Sequence, residues 1–499
     1  MEELFLRNRF LRIVLSMILA LIPLLWPTVS AVAMTPEDEP IKGTIPASSC
    51  VLEKAYFADK DEYESVPVEA ETLFIGLSYD RSAVEEARFE NAEGLGFRLG
   101  IIDEQRVFQP SIETEGSELI IRNERSWYLL IDEGFATRED AVSFAERYAG
   151  RVVSMDGEYR VLIGPFQNVE EVDYTIRWYA LSGKPWHESC IVVYDGGGNC
   201  VTMITDADQI ALEAISRGKA RTNYQSEQYF GSFLLRRWED NRLTVINAVG
   251  LEDYVKGVIP YEMSSFWPVE ALKAQAVCAR SYAAYHLGEY EEDFGFDLSD
   301  DTESQVYRGI YGADAVTDAA VDATAGQFVR YRGELCEVYY FASDGGMTED
   351  GAFIFDSEQP YLAGKTDPFE QAVDSAVMRW ERWRSGEEIA WRLQQKGYEI
   401  GSVTKIEPEY SELGNVIGMR YYDAAGTCLD LKTRDSYSPL YLDSARFTVV
   451  PEDDGFRFAG IGWGHNCGLS QWGANAMASV YGMSADEIIG YYFTGAYIG

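Results

Sequence analysis

Basic side chains are scarce in this chain. Its 499 residues carry 42 Lys and Arg against 82 Asp and Glu, a formal net charge of −40. A nucleic-acid binder needs a basic face to neutralise phosphates, so that class of function is excluded. Anionic lipid and acidic polymers would also be repelled, and any anionic substrate must be met by a local cluster of cations. Histidine is rarer still, at three residues. With no Cys-x-x-Cys pair and no His-x-x-x-His spacing, a structural zinc site is not expected. Internal repeats and low-complexity tracts are absent as well.

Apolar material is plentiful. Hydrophobic residues make up 46% of the chain and aromatics 13%, with 32 Tyr and 11 Trp, which is enough to build packed cores and too much for wholesale disorder. At this length one core does not suffice, and two to four domains are expected.

Residues 1–33 read as a secretory signal: Arg7, Arg9 and Arg12 form a basic start, Ile13 to Leu25 an apolar stretch, and Ser30-Ala31-Val32-Ala33 a small-residue cleavage site. An uncleaved anchor is the competing reading. Pro23 and Pro27 interrupt the stretch, which is short for a span. Both readings place the remainder outside the cytoplasmic membrane, and membrane contact is expected only through this segment if it is uncleaved. The seven Cys then leave at least one unpaired. Cys190 and Cys200 flank the turn signal Asp195-Gly196-Gly197-Gly198 with a spacing that could bridge a hairpin, while Cys278 lies in an apolar helix and reads as a buried thiol.

The remaining chain divides by pattern into a linker (34–47), a small β-rich region (48–125), an α+β module (126–182), a connecting region with a hairpin and a helical piece near 207–218 (183–225), and a long C-terminal domain (226–499). In the module, Trp127 to Ile131 reads as a strand, Thr137 caps a helix running through Phe144, and Tyr159 to Phe166 is a second strand followed by a helix near 168–180. This β-α-β order with its Gly164-Pro165-Phe166 ending resembles a SPOR-like module, a family that binds glycan strands lacking stem peptides. A plain small α+β domain fits the same pattern.

The chemistry concentrates further on. Leu243 to Ala248 alternates as a strand, and Glu262 follows in a turn bounded by Gly257, Pro260 and Pro268, with Ile259, Tyr261, Met263, Phe266 and Trp267 nearby. Apolar neighbours penalise an ionised carboxylate and raise its pKa toward the range useful to a general acid; an exposed turn glutamate is the bland reading. A helix is expected over Val269 to Tyr285, begun by Pro268, with Lys273 and Arg280 seven residues apart on one otherwise apolar face. Two such cations require anionic partners, either a carboxylate ligand or Glu262, unless they snorkel to water.

Taken together, Asn247 through Met263, Glu270-Ala-Leu-Lys-Ala-Gln-Ala-Val-Cys-Ala-Arg-Ser-Tyr, Gln305-Val-Tyr-Arg-Gly, Ala342-Ser-Asp-Gly-Gly-Met-Thr and Gly462-Trp-Gly-His-Asn-Cys-Gly-Leu-Ser-Gln-Trp-Gly-Ala resemble the SpoIID/LytB family over about residues 226–499. The resemblance implies an α+β fold, multidomain here, whose C-terminal domain mixes helices and short strands around a groove. It also implies a lytic transglycosylase that cleaves peptide-stripped glycan between N-acetylmuramic acid and N-acetylglucosamine. Glu262 is then the catalytic carboxylate. Lys273, Arg280, Gln305, Ser343, Asp344, His465, Ser470 and Gln471 are the expected substrate-binding residues, although each of Ser343, Asp344, His465, Ser470 and Gln471 could equally satisfy a backbone turn. One carboxylate suffices if it first protonates the leaving oxygen and then accepts the proton of the sugar's own 6-hydroxyl as a 1,6-anhydro ring closes, unlike the two-carboxylate glycosidases. No cofactor is implied. Some relatives carry a Cys/His zinc cluster just before Gln-Val-Tyr; here Ser299 to Ser304 offers no such ligands. The implied partner is peptidoglycan, in sporulation or wall remodelling. LytB-type relatives suggest the alternative of a non-catalytic enhancer of a cell-wall amidase. Asn466 stands where relatives have Gly, and Asn tolerates a positive φ better than most residues.

Overall fold

The computed structural model describes residues 65–499 except 69, 156–157, 206, 239–241 and 373–377. The expected signal or anchor and the 34–47 linker lie outside the described residues. Among those described, no helix is long and apolar enough to cross a membrane.

The fold is α+β, with helices set beside mixed sheets. Leu243–Gly250 is buried along nearly its whole length, as expected of a short apolar run at the centre of a sheet. It pairs antiparallel with Thr72–Ser78 on one side and Ser232–Arg237 on the other. The seven-stranded sheet continues outward through Gln209–Ala214, Phe97–Ile102 and Phe108–Thr114, and its opposite edge is Leu298–Ser299. Segments with separate sequence patterns, 48–125, 183–225 and 226–499, therefore share one sheet. The link is reinforced where Arg106 grips the buried Asp297 through two bonds, of 2.5 and 2.9 Å.

The 207–218 piece, expected to be helical, contributes a strand instead. Its Ala, Leu and Glu favour a helix locally, but Gln209–Ala214 is hydrogen-bonded on both sides, to Ser232–Arg237 and to Phe97–Ile102, and those neighbours decide its state. A second correction concerns the cysteines. In the hairpin Ser189–Asp195/Cys200–Ile204, Cys200 faces Tyr194 rather than Cys190, and both thiols are free. Cys278 is buried, as expected.

Residues 127–186 form a β-α-β-β-α-β unit. Trp127–Ile131, helix α1 (Arg138–Ala145), the hairpin Gly150–Met155/Glu158–Phe166, helix α2 (Val169–Tyr179) and Gly183–Trp186 follow in order. Across the sheet the first, second, third and fourth strands stand in the order second, third, first, fourth, every adjacent pair antiparallel. Thr137 caps α1 by accepting from the Asp140 N–H, and Asn168 caps α2 likewise. Strand alternation sends Leu129 and Ile131 against the helices and Tyr128 and Leu130 into the opposite core.

In the C-terminal half, helix α3 (Leu251–Glu262) leaves the central strand directly, with Glu252 and Asp253 in its first turn. Helix α4 (Val269–Tyr285) follows after a six-residue connection and is buried on almost every side. Its run of Ala lets the neighbouring helices, α3 among them, come close. Farther along, helix α5 (Gln471–Tyr481) starts where Ser470 caps it, accepting from the Gly473 N–H at 3.1 Å.

Candidate functional site

Glu262 is the last residue of α3, not part of a free turn. Pro260 lies inside its final turn, where it cannot donate a helical hydrogen bond, and the helix stops at Met263, whose backbone is extended. A helix C-terminus carries partial negative charge, which disfavours a carboxylate. Ile259 and Met263 are buried beside it, but Phe266, expected among the apolar neighbours, is 94% exposed. Trp267 turns back instead onto Trp472, ring centroids 4.8 Å apart.

Two donors reach the Glu262 carboxyl. Gln471 Nε2 donates to Oε2 at 2.9 Å, and the Tyr340 hydroxyl donates to Oε1 at a long 3.4 Å. They arrive together because Tyr340–Phe341 pairs in parallel with Leu469–Ser470. The hydroxyl of Tyr340 receives Gln305 Nε2 at 2.7 Å, and Gln305 Oε1 accepts from Tyr254 at 3.1 Å. Burial drives the Glu262 pKa up to about 7, against the opposing pull of the Gln471 and Tyr340 bonds. The group is thus poised to hold a proton near neutrality and to release it.

His465 serves this arrangement from behind. Its Nε2 lies 3.0 Å from the Tyr340 carbonyl oxygen, and its Nδ1 accepts from the Cys467 N–H at 3.2 Å, which fixes a neutral ring protonated at Nε2. Burial, then the nearby Arg434, push its pKa down to about 3. Asn466 adopts φ 66°, a left-handed conformation that Asn tolerates better than most residues. Its Nδ2 ties the turn to the Asp344 carbonyl at 3.2 Å and to Asn415 at 3.1 Å.

Neither Lys273 nor Arg280 is among the groups that act on Glu262. Arg280 is wholly buried; it holds Glu252 with bonds of 2.9 and 2.7 Å and donates to the carbonyls of Ala276, Val321 and Gln327. A substrate carboxylate has no access to a guanidinium so enclosed. Lys273 pairs with Glu270 at 2.7 Å, and Glu270 in turn accepts from the Ala485 N–H. The cationic strip inferred from the seven-residue spacing is therefore two separate structural anchors, because each cation found its anion within the protein.

Ser343, Asp344 and Ser470 gather in a different place, around Glu370. Ser343 and Ser470 both donate to its carboxylate, the latter at 2.9 Å, and all these groups are buried. Of the expected residues, Glu262, Gln305, Gln471 and, through Tyr340, His465 form one constellation. Tyr340, Tyr254, Asp367 and Glu370 were not anticipated; the adjacent Tyr339-Tyr340 before the Ser-Asp-Gly-Gly turn was the available signal.

A family model described as Stage II sporulation protein matches residues 239–331, the stretch holding α3 and α4. An uncharacterized protein of Brachyspira hyodysenteriae is 34% identical over 271 residues, covering 54% of this chain and 71% of that protein. Stage II sporulation protein D of Bacillus subtilis is 30% identical over 269 residues, covering 51% of this chain and 75% of its own length. The Bacillus subtilis amidase enhancer is also 30% identical, over 288 residues, but this chain spans only 39% of it. By its match to relatives most of whose length it covers, this chain belongs to the SpoIID family of stage II sporulation proteins.

Proposed function

We propose that this protein works on the bacterial cell wall as a lytic transglycosylase, cutting peptide-stripped glycan between N-acetylmuramic acid and N-acetylglucosamine. The relatives named for sporulation and for amidase enhancement support the wall-directed part of this reading. The observation that carries the chemistry is the single desolvated carboxyl of Glu262, raised to a pKa of about 7 and held by Gln471 and Tyr340.

In the proposed reaction the proton sits on Oε1, the oxygen whose protein contact is the weaker, and passes to the glycosidic oxygen as the bond breaks. Oε2 stays anchored to Gln471, so the carboxylate keeps its orientation. It then takes the proton of the sugar's 6-hydroxyl while that oxygen closes the anhydro ring. One carboxyl serves both steps, and no second acid is required. Arg280, enclosed by Glu252 and three carbonyls, is left out of the lactyl carboxylate's binding, and Lys273 already pairs with Glu270.

The amidase-enhancer reading draws support from one observation, that the two expected cations leave Glu262 without a basic neighbour. Mass spectrometry of denuded glycan and of intact wall, each treated with wild type and with Glu262→Gln, with and without an amidase, separates the readings. Anhydro-muramyl products from wild type alone, lost in Glu262→Gln, are the expected result. Release of stem peptides that needs the amidase, occurs only on intact wall and is raised equally by both proteins, with no anhydro ends, would establish the enhancer.

A further inference from the structure

Beside the Glu262 constellation, and separate from it, three carboxylates meet in the interior. Asp344, Asp367 and Glu370 are each exposed by 1% or less, and one ligand atom from each lies within 4.8 Å of the others. The charges acting on Asp344 are those of Asp367 and Glu370, both negative. Among the described residues, no Lys, Arg or His forms an ion pair with any of the three. An uncompensated cluster of this kind carries a steep desolvation cost.

The donors are distributed unequally. Glu370 accepts four: Ser343 Oγ and the Gly345 N–H on Oε1, the Asp344 N–H and Ser470 Oγ on Oε2. Asp367 accepts the N–H groups of Phe369 and Glu370 on Oδ1 and the Tyr492 hydroxyl on Oδ2. Asp344 accepts the Gly346 N–H on Oδ1 at 2.6 Å, while its Oδ2 is fully buried and has no partner. That carboxyl faces both of the others at bonding range. A buried acceptor left over between two other carboxylates calls for a positive guest.

We infer that Asp344, Asp367 and Glu370 form a site for a hard divalent cation of the calcium class, with Asp344 Oδ2 as its leading ligand and the Ser343 and Ser470 hydroxyl oxygens at hand. An all-oxygen donor set without nitrogen or sulfur turns away zinc and copper. A buried cage made of protein oxygens suits calcium, which accepts flexible geometry, whereas magnesium usually keeps several of its waters. Burial and the two neighbouring carboxylates raise the Asp344 pKa well above its ordinary value, so in the absence of a cation it takes up a proton. Ser470 both touches the cluster and caps α5 one residue before Gln471, so occupancy would stiffen the segment that presents Gln471 to Glu262. The inference does not depend on the glycan reading.

The test uses calcium chloride with the full chain. Equilibrium dialysis and thermal unfolding compare wild type with Asp344→Asn, a change that removes one of 82 acidic groups and leaves the diffuse surface background in place. Wild type should hold one more tightly bound calcium per chain than the variant. Its midpoint should rise by several degrees at saturating calcium, and the variant's should not. Equal binding and equal shifts in the two proteins, or no tight equivalent in wild type, would show that the cluster holds a proton instead and overturn the site. Should Asp344→Asn fail to fold, terbium on wild type decides. Emission displaced by calcium and lost in Tyr492→Phe, which keeps every carboxylate, supports the site, and equal emission from the two proteins refutes it.

Discussion

Glu262 shows how a side chain's surroundings set its ionisation, and its stability linkage has a definite sign. Its folded pKa of about 7 lies above the ordinary 4.5, so the folded state favours the protonated form. The associated stability is complete below about pH 4.5 and is lost as the pH rises through 7. Glu262→Gln, which stays neutral, should therefore match wild type near pH 4 and exceed it at pH 8, by at most about 3 kcal/mol; urea unfolding at the two pH values measures this. A second contrast lies on α4. Arg280→Met strands three carbonyls and Glu252, and should cost roughly 3 kcal/mol. Lys273→Met breaks a pair that is about one-third exposed on both sides, and should cost less than about 1 kcal/mol. Denaturant midpoints of the two variants decide whether these cations are structural. A perturbed acid at Glu262 was one of two readings that its sequence neighbours allowed, and Phe266, one of those neighbours, proves exposed. Its hydrogen-bond partners were not legible, since they come from 78 and 209 residues away. Arg280 was misread for a related reason: an anion 28 residues upstream is invisible to helical spacing.

Elements read from local signals fared best where the signal was strong. The caps at Thr137 and the extent of α4 stand in the structure as the sequence suggests. Where local preference and tertiary pairing disagreed, as at Gln209–Ala214, pairing prevailed. α3 is the opposite case, a helix hidden by Gly257 and Pro260. Gly257 is there for space: a Cβ would fall 2.4 Å from the Tyr307 ring and 2.6 Å from the Gly309 carbonyl oxygen. Gly257→Ala should thus destabilise the protein by about 1–3 kcal/mol through overpacking, although alanine is the better helix former by up to about 1 kcal/mol. A gain in stability on chemical denaturation would contradict that account. On α2, Tyr174 and Trp178 stack on one exposed face, ring centroids 5.7 Å apart, a feature that the strand-helix rhythm of 126–182 did not foretell.

At the scale of the molecule, the sequence announced α+β architecture and the C-terminal motifs, yet it concealed how early and late segments interlock. Strand pairing between Thr72–Ser78 and Leu243–Gly250 leaves no mark in either segment beyond its apolar run. A fragment of residues 226–499, which contains every family motif, should for this reason fail to fold alone, since it would bare the edge of its central strand and leave Asp297 without Arg106. A fragment of 65–499 should fold. Circular dichroism and gel filtration of the two make the comparison direct.

The Arg106–Asp297 clamp and the strand it adjoins carry a consequence for biogenesis. As the chain emerges, residues 72–78 must wait, solvent-exposed and sticky, until the partner strand has been made. The sheet then closes only after residue 250 has emerged, and the clamp locks only after Asp297, so the early strands depend on shielding for the whole of that interval.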